Sequence, residues 1–228
     1  MTDLTARVPK ERIYIWEFPV RLVHWVLFFA IIILSVTGYY IGHPFINVPG
    51  PAKDHFVMGT MRAIHLYTAI FFSVAVLVRI YWFFAGNRYA RLRDFIPFLR
   101  WRGLWRTFLY YCFLKPHPEV YPGHDALAAS TYGFIFLVYL VLIATGLALY
   151  IPVASVSSPF QIFGFFIPLF GGLQVARLIH HICMYVVTIF AVIHIYSVVL
   201  WSMIEDSGEI DSIFNGHKFW PKRKAGRT

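Results

Sequence analysis

The chain has 228 residues, of which 59% are hydrophobic and only 14% charged, and its mean hydropathy is +0.64. Soluble domains carry about 25% charged residues, so this composition excludes an ordinary water-soluble globule and a disordered chain. The two cysteines are too few for a four-cysteine zinc site or an all-cysteine iron–sulfur cluster, and the net charge is +9.

Four segments are long and apolar enough to cross a membrane as helices, which takes about 20 residues each. The first apolar run is too long for a secretory signal and no small-residue cleavage site follows it, so we expect residue 1 to stay in the mature chain. The fold class predicted is an all-α, integral membrane four-helix bundle. Its spans are expected over residues 22–41, 64–84, 128–151 and 178–203.

The distribution of positive charge predicts which side of the membrane each end of the chain occupies. With Arg21 counted in the N-terminal tail and Arg79 in the loop between the second and third spans, seventeen of the twenty Lys and Arg residues fall in these two segments and the C-terminal tail. Cytoplasmic loops collect Lys and Arg. We therefore predict cytoplasmic tails over residues 1–20 and 205–228, around a transmembrane domain over residues 21–204 in a bacterial inner membrane. The net charge of +9 is then explained by topology. We expect membrane lipid as a partner and no nucleic acid.

Two further apolar stretches are predicted to lie at membrane surfaces without crossing. Between Trp101 and Cys112, apolar side chains recur at helical spacing with arginines elsewhere on the helical wheel. This pattern predicts an amphipathic helix on the cytoplasmic face. Residues 159–172 are too few to span and are interrupted by Pro168 and by glycines, so we expect an outer interfacial or re-entrant segment.

Ten histidines in so apolar a chain are the unusual polar residues, and four of them lie inside the predicted spans. Ionisable side chains at membrane depth are costly and indicate function. Given the predicted orientation, His24 and His194 lie near the cytoplasmic side and His65 and His180 near the outer side. His180 and His194 share one helix face and are separated by about 21 Å along its axis, so the four histidines form one pair in each leaflet.

Two imidazoles from facing helices suit the two axial positions of a haem iron, and bundle cores hold such cofactors. We therefore predict an outer haem between His65 and His180 and an inner haem between His24 and His194, forming an electron path across the bilayer. His181 is the alternative outer ligand. A metal transporter or a proton pump would need carboxylates or thiolates in the spans, and the acidic residues all lie outside them. The remaining histidines are expected in loops or tails: His43, His55, His117, His124 and His217.

Arginines and glycines near these histidines are candidate haem contacts. Arg21, Arg62 and Arg177 each precede a histidine by three residues on the same helix face. Arg21 could meet the propionates of an inner haem, and the other two those of an outer haem. The alternative is that they only extend their charges from helix ends to the interface. Gly38 and Gly146 each follow a threonine inside a span, where they would admit either a haem ring or a neighbouring helix.

Two segments resemble the signatures of a known family. RLVHWVLFFAIIILSVTG (residues 21–38) and RLIHHICMYVVTIFAVIH (residues 177–194) are similar to those of the b-type cytochrome subunit of membrane-bound NiFe hydrogenases. Tyr185 stands where that family usually has tryptophan, which exchanges one aromatic residue for another. The stretches WEFPVR (residues 16–21) and 205–218 also look familial, so the resemblance covers most of the chain.

The resemblance implies two haem b groups held by four helices, with His65 and His180 matching the outer ligands and His24 and His194 the inner ones. It also implies NiFe hydrogenase small and large subunits as partners and quinone as the electron acceptor. This chain would then be an electron-transfer subunit, and hydrogen cleavage would occur in its partners. Similar in plan are the cytochrome b subunit of formate dehydrogenase and stand-alone quinol-oxidising cytochromes, which are the alternative. A haem-free scaffold or transporter is the third hypothesis.

Overall fold

The computed structural model describes residues 10–46, 49–50, 56–96, 101–111, 114, 123, 126–205 and 208–221. The elements within these residues are mostly helical, with two short strands near the ends of the chain. Short 3-10 helices cover Leu92–Phe95, Ile151–Val153 and Pro159–Phe165. In chain order the elements are β1 (Lys10–Tyr14), α1 (Phe18–Gly42), α2 (Val57–Ala85), α3 (Trp101–Tyr111), α4 (Ala126–Tyr150), α5 (Phe166–Leu169), α6 (Leu173–Glu205), α7 (Glu209–Asn215) and β2 (His217–Pro221).

Within the described part of the chain, α1, α2, α4 (with the 3-10 turn that follows it) and α6 are long and apolar enough to cross a membrane. This result confirms the four predicted spans. A helix bonds its own backbone polar groups internally, which is why apolar runs of this length fold as helices in lipid. Proline at the second position of α1 loses no helical bond, because the first turn has no partner for its N–H. One predicted position was wrong: Arg79, which we counted with the loop after the second span, lies inside α2.

The described parts of residues 23–81 and 131–192 form one compact unit, which we call the bundle unit. All four long helices contribute to its apolar core, for example through the buried side chains of Ala30, Val76, Val138 and Val187. Many large apolar side chains on the same helices are exposed, such as Phe71 at 68%. Apolar side chains on both the inside and the outside of the helices are expected where the surrounding solvent is lipid.

The described parts of residues 1–22, 82–130 and 193–228 form a second compact unit, which we call the terminal unit. In it, β1 and β2 pair antiparallel, with Lys10 opposite Pro221 and Tyr14 opposite His217. This small sheet was not predicted. Each strand has only five residues, and the two lie at opposite ends of the sequence, so no local pattern identifies the pairing.

Polar side-chain contacts connect the segments of the terminal unit, and one of them joins the two ends of the chain. The Lys218 ammonium is 2.5 Å from a Glu209 carboxylate oxygen, and Lys218 is only 4% exposed. The Trp16 indole N–H donates to the Ser212 hydroxyl at 3.1 Å, and both residues are buried. Glu17 accepts hydrogen bonds from the Trp82 indole at 2.9 Å and from the Asn87 backbone N–H at 2.8 Å.

The two stretches predicted not to span are both short in the structure. Helix α3 covers the predicted amphipathic segment up to Tyr111, and Trp101 and Trp105 on it are exposed. Cys112 lies outside the described residues, and the position of α3 on the cytoplasmic face remains a prediction. Residues 159–169 form a 3-10 helix followed by α5. Gly171 and Gly172 then adopt left-handed backbone angles, φ 76° and 103°, and separate α5 from α6.

Candidate functional site

Two of the four predicted ligands lie next to each other in the bundle unit. His65 on α2 and His180 on α6 are both half-buried, and their ring centroids are 6.4 Å apart with an interplanar angle of 60°. Bonds of about 2 Å from an imidazole nitrogen to a metal, one on each side of the ion, place the two ring centres about 6 Å apart. The two rings therefore have the spacing that axial ligands of one metal ion require.

A buried threonine lies against each of these rings. The Thr37 hydroxyl oxygen on α1 is 2.9 Å from His65 Nδ1, and the Thr145 hydroxyl oxygen on α4 is 2.9 Å from His180 Nδ1. Thr37 is 4% exposed and Thr145 is fully buried. From the sequence, a role was predicted for the glycines of both Thr-Gly pairs and none for the threonines. The repetition of the pair in two spans was the signal that could have identified the threonines.

The glycine of each pair faces the same histidine ring as the threonine before it. A Cβ added to Gly38 would lie 3.2 Å from His65 Cε1, and one added to Gly146 would lie 3.5 Å from His180 Cε1. The glycines thus leave room for histidine rings close to α1 and α4. The sequence had predicted contact with a haem ring or a neighbouring helix, and not with these histidines. Contact of these glycines with a haem ring remains a prediction.

The neighbouring His181 has a different environment from His180. Its Nδ1–H donates to the carbonyl oxygen of Arg177 at 2.8 Å, four residues earlier on α6. Its Nε2 is 2.9 Å from the position that a Cβ on Gly42 would occupy, so the ring packs against the end of α1. His180, and not His181, is therefore the α6 histidine that lies next to His65.

The three candidate propionate partners are placed differently from one another. Arg62 and Arg177 are exposed, and Arg177 donates to the Gln174 side-chain oxygen at 2.7 Å. Arg21, in the terminal unit, donates through Nη1 to the carbonyl oxygen of Phe214 near the end of α7. Its Nε is buried and has no hydrogen-bond partner among the described residues. Arg21 thus has a structural contact that the sequence did not reveal, together with one free buried donor.

The inner pair lies on two of the long helices. His24 is in the first third of α1, with its ring edge-to-face against Trp25 at a centroid distance of 5.4 Å. His194 is a half-buried residue of α6. The pairing of these two side chains remains a prediction.

The structure describes two of the remaining histidines, and both lie outside the four long helices. His43 follows α1 and stacks on Tyr39 at 5.3 Å, and His217 lies in β2 within hydrogen-bond distance of Arg12. His55, His117 and His124 lie outside the described residues.

The donor set fits a haem better than a bare metal ion. No group of three or more His, Cys, Asp or Glu side chains comes together in the described ranges in a way that could hold an ion. A zinc site requires three or four protein ligands. A porphyrin supplies the equatorial ligands of its own iron, so haem requires only axial ligands from the protein. The His65–His180 pair meets that requirement.

A helical membrane bundle with a histidine pair spaced for one iron is the architecture of a membrane cytochrome. The chain belongs to the prokaryotic cytochrome b561 family, whose model matches residues 15–216. It is 34% identical to the "Probable Ni/Fe-hydrogenase B-type cytochrome subunit" of Rhizobium leguminosarum bv. viciae, over 95% of this chain and 93% of the relative. It is 35% identical to the "Probable Ni/Fe-hydrogenase 1 B-type cytochrome subunit" of Escherichia coli K12, over 90% and 92% of the two chains.

These comparisons confirm the family resemblance read from residues 21–38 and 177–194. Together with the four apolar helices they make the chain a multi-pass membrane protein with an all-α bundle. Membership of a cytochrome b family implies that the cofactor is b-type haem.

We expect alanine at the two glycines to have unequal effects. Ala is favoured over Gly inside a helix by about 1 kcal/mol, and the Gly146→Ala methyl would meet His180 at an ordinary contact distance of 3.5 Å. The Gly38→Ala methyl would meet His65 at 3.2 Å, and overpacking costs about 1–3 kcal/mol. Thermal unfolding of the detergent-purified variants should therefore show Gly146→Ala neutral or stabilised and Gly38→Ala destabilised. Equal shifts would contradict this packing argument.

Proposed function

We propose that this chain is a di-haem b-type cytochrome that passes electrons from a periplasmic NiFe hydrogenase to the membrane quinone pool. The observation that carries the proposal is the His65–His180 pair, 6.4 Å apart, inside the helical bundle of a cytochrome b family member. The pair favours haem over a metal transporter, because among the described residues no third His, Cys, Asp or Glu side chain joins the two imidazoles to complete a metal site.

Four histidines would hold the two haems: His65 and His180 the outer group, and His24 and His194 the inner one. Helix α6 is continuous from Leu173 to Glu205, so His180 and His194 lie on one helix about 21 Å apart along its axis. Bound haem supplies one-electron redox chemistry, and the protein supplies ligation, burial and nearby charge.

The side chains around the ligands have supporting roles in this proposal. The guanidinium groups of Arg62 and Arg177 would bind the propionates of the outer haem, and Arg21 those of the inner haem through its free Nε. Gly38 and Gly146 leave the rings of His65 and His180 close to α1 and α4, and they would leave room for a haem face there as well.

The assignment of the electron donor comes from the relatives. Both relatives described above are named as hydrogenase subunits, and this chain covers more than nine-tenths of each. With two cysteines in the whole chain, nickel and cluster chemistry would belong to the hydrogenase large and small subunits. The names favour this partner over formate dehydrogenase and over a stand-alone quinol-oxidising role, which the haem site alone would fit equally well.

We place the protein in the bacterial inner membrane, with tails 1–20 and 205–228 in the cytoplasm around a transmembrane domain of residues 21–204. Four crossing helices return the chain to its starting side, and the excess of Lys and Arg assigns that side to the cytoplasm. Quinone would then be reduced near the cytoplasmic end, at the level of the inner haem.

Reporter fusions test this orientation. Alkaline phosphatase, which folds only outside the cytoplasm, should be inactive when fused after the last residue and active when inserted at Gly50, between α1 and α2. A fluorescent protein, which needs the cytoplasm, should give the opposite result. An active C-terminal phosphatase fusion would reverse the proposed topology.

Removal of single ligands should remove single haems. We expect His65→Ala and His180→Ala each to lose the outer haem and keep the inner one, and His24→Ala and His194→Ala to do the reverse. The measurements are a pyridine haemochrome assay per chain and a redox titration of the purified complex. His43→Ala, in the loop after α1, is the matched control and should keep both haems. Retention of both haems in His65→Ala and His180→Ala would refute the outer pair.

Hydrogen should reduce the b haems of membranes that contain the active hydrogenase. The haem absorbance in the visible spectrum should shift to that of the reduced form after hydrogen is added, and membranes without the hydrogenase should show no change. If hydrogen does not reduce the b haems while the hydrogenase is active, the proposal of a hydrogenase partner is wrong and the haem assignment is unaffected. Reduction by formate in place of hydrogen would favour the formate dehydrogenase alternative.

A further inference from the structure

We propose that Thr37 and Thr145 set the tautomer of the outer ligands, so that each ring carries its proton on Nδ1 and presents the Nε2 lone pair to iron. The inference rests on the proposed function, because it concerns how the outer haem is held. It assigns a positioning role to two side chains that would not touch the metal.

The hydroxyl of Thr145 has one proton, and its surroundings determine where that proton points. The oxygen is 2.7 Å from the carbonyl oxygen of Val141, one turn earlier on α4, and 2.9 Å from His180 Nδ1. A carbonyl oxygen can only accept a hydrogen bond, so the hydroxyl donates to Val141. Toward His180 the hydroxyl oxygen is then an acceptor, and the proton between the two groups belongs to Nδ1.

If His180 carried its proton on Nε2 and not on Nδ1, the contact between Thr145 and Val141 would have no proton. If the Thr145 hydroxyl donated to His180 Nδ1, its oxygen and the Val141 carbonyl oxygen would be two acceptors 2.7 Å apart. Thr145 is fully buried in the bundle unit, where a polar contact of this kind has no bulk water to relieve it.

Thr37 repeats this arrangement on a different helix. Its hydroxyl oxygen is 2.7 Å from the carbonyl oxygen of Ile33 and 2.9 Å from His65 Nδ1. The same reasoning places the His65 proton on Nδ1. Two threonines on α1 and α4 therefore act in the same way on two histidines of α2 and α6.

The chemical consequence follows from the structure of neutral imidazole. A ring protonated at Nδ1 has its one free lone pair on Nε2, which is the atom available to a metal. A hydrogen bond from the other nitrogen orients a metal-bound histidine and raises its basicity, and loss of that bond typically costs 10–100-fold in metal affinity. A more basic ligand stabilises ferric over ferrous iron, so the two threonines would also lower the midpoint potential of the outer haem.

A third threonine of the bundle unit, Thr188, has no histidine as a partner and therefore serves as a control. The Thr188 hydroxyl on α6 donates to the Met184 carbonyl oxygen at 2.9 Å and lies 3.2 Å from the Ser35 hydroxyl oxygen. Like Thr37 and Thr145, it donates to the carbonyl oxygen four residues earlier on its own helix, but its partner on the facing helix is a serine and not a histidine. Thr188→Val removes the same hydroxyl from a half-buried position in the same unit.

The experiment compares Thr37→Val and Thr145→Val with Thr37→Ser, Thr145→Ser and Thr188→Val in the purified complex. Valine has the shape of threonine without the hydroxyl, and serine keeps the hydroxyl. The readouts are haem per chain, the midpoint potentials from a redox titration, and the electron paramagnetic resonance signals of the two ferric haems. We expect each Val variant of Thr37 and Thr145 to raise the potential of one haem, shift its resonance signal or weaken its binding by 10–100-fold. The serine variants and Thr188→Val should resemble the wild type.

The outcomes separate this inference from the proposed function. Wild-type protein without b haem would refute the function itself. Wild-type protein with two haems, combined with unchanged potentials, signals and occupancy in Thr37→Val and Thr145→Val, would refute the inference alone, as would an equal effect of Thr188→Val. If Thr145→Val accumulates poorly, Thr37→Val on the other helix answers the same question.

Discussion

The fold depends on one constraint: every polar group inside an apolar medium needs a partner within the protein. The backbone meets it by forming helices, which is why four apolar runs become α1, α2, α4 and α6. Polar side chains meet it by bonding back to their own helix. The hydroxyls of Thr37, Thr145 and Thr188 each donate to the carbonyl oxygen four residues earlier. A hydroxyl bound in this way is fixed in direction and retains an acceptor for a second partner.

The His65–His180 site depends on the threonine hydroxyl oxygens, which can still accept a hydrogen bond. A threonine that has satisfied its own helix accepts a hydrogen bond from a histidine on the facing helix, and the glycine after it leaves room for the ring. On α1, Thr37 lies near Nδ1 of His65 and Gly38 near Cε1 of the same ring. On α4, the next Thr-Gly pair meets His180 in the same way. Two consecutive residues thus lie close to two adjacent atoms of one imidazole. A Thr-Gly pair in the sequence therefore corresponds to a contact between two helices.

How far the sequence predicts this structure follows from the range of each interaction. The number of spans depends on the length of apolar runs, which a single sequence contains, and all four were found. The β1–β2 pairing depends on two strands at opposite ends of the chain, and no local pattern reveals it. Depth along a helix pointed to His65 and His180 as partners. The threonine contacts depend on how far each helix is rotated toward its neighbour, which periodicity in a nearly uniform apolar sequence does not determine. The sequence favoured His180 over His181 because His180 shares a helix face with His194, and the structure places the His180 ring next to that of His65.

The two units solve the problem of buried polar groups with different chemistry. The terminal unit contains an ion pair between the buried Lys218 and the partly exposed Glu209, in which the carboxylate offsets the loss of water around the ammonium. The predicted spans contain no Asp or Glu, and around the outer histidine pair the bundle unit relies on neutral hydrogen bonds. A charge at membrane depth is costly, whereas a neutral histidine bound to a neutral threonine keeps a lone pair for a metal without that cost. Without carboxylates in the spans, a proton has no acidic side chain to carry it through the bundle. In the proposed electron path, the protons taken up with electrons at a quinone would then enter from the aqueous side at the end of the helices where quinone binds, and not through a relay of carboxylates.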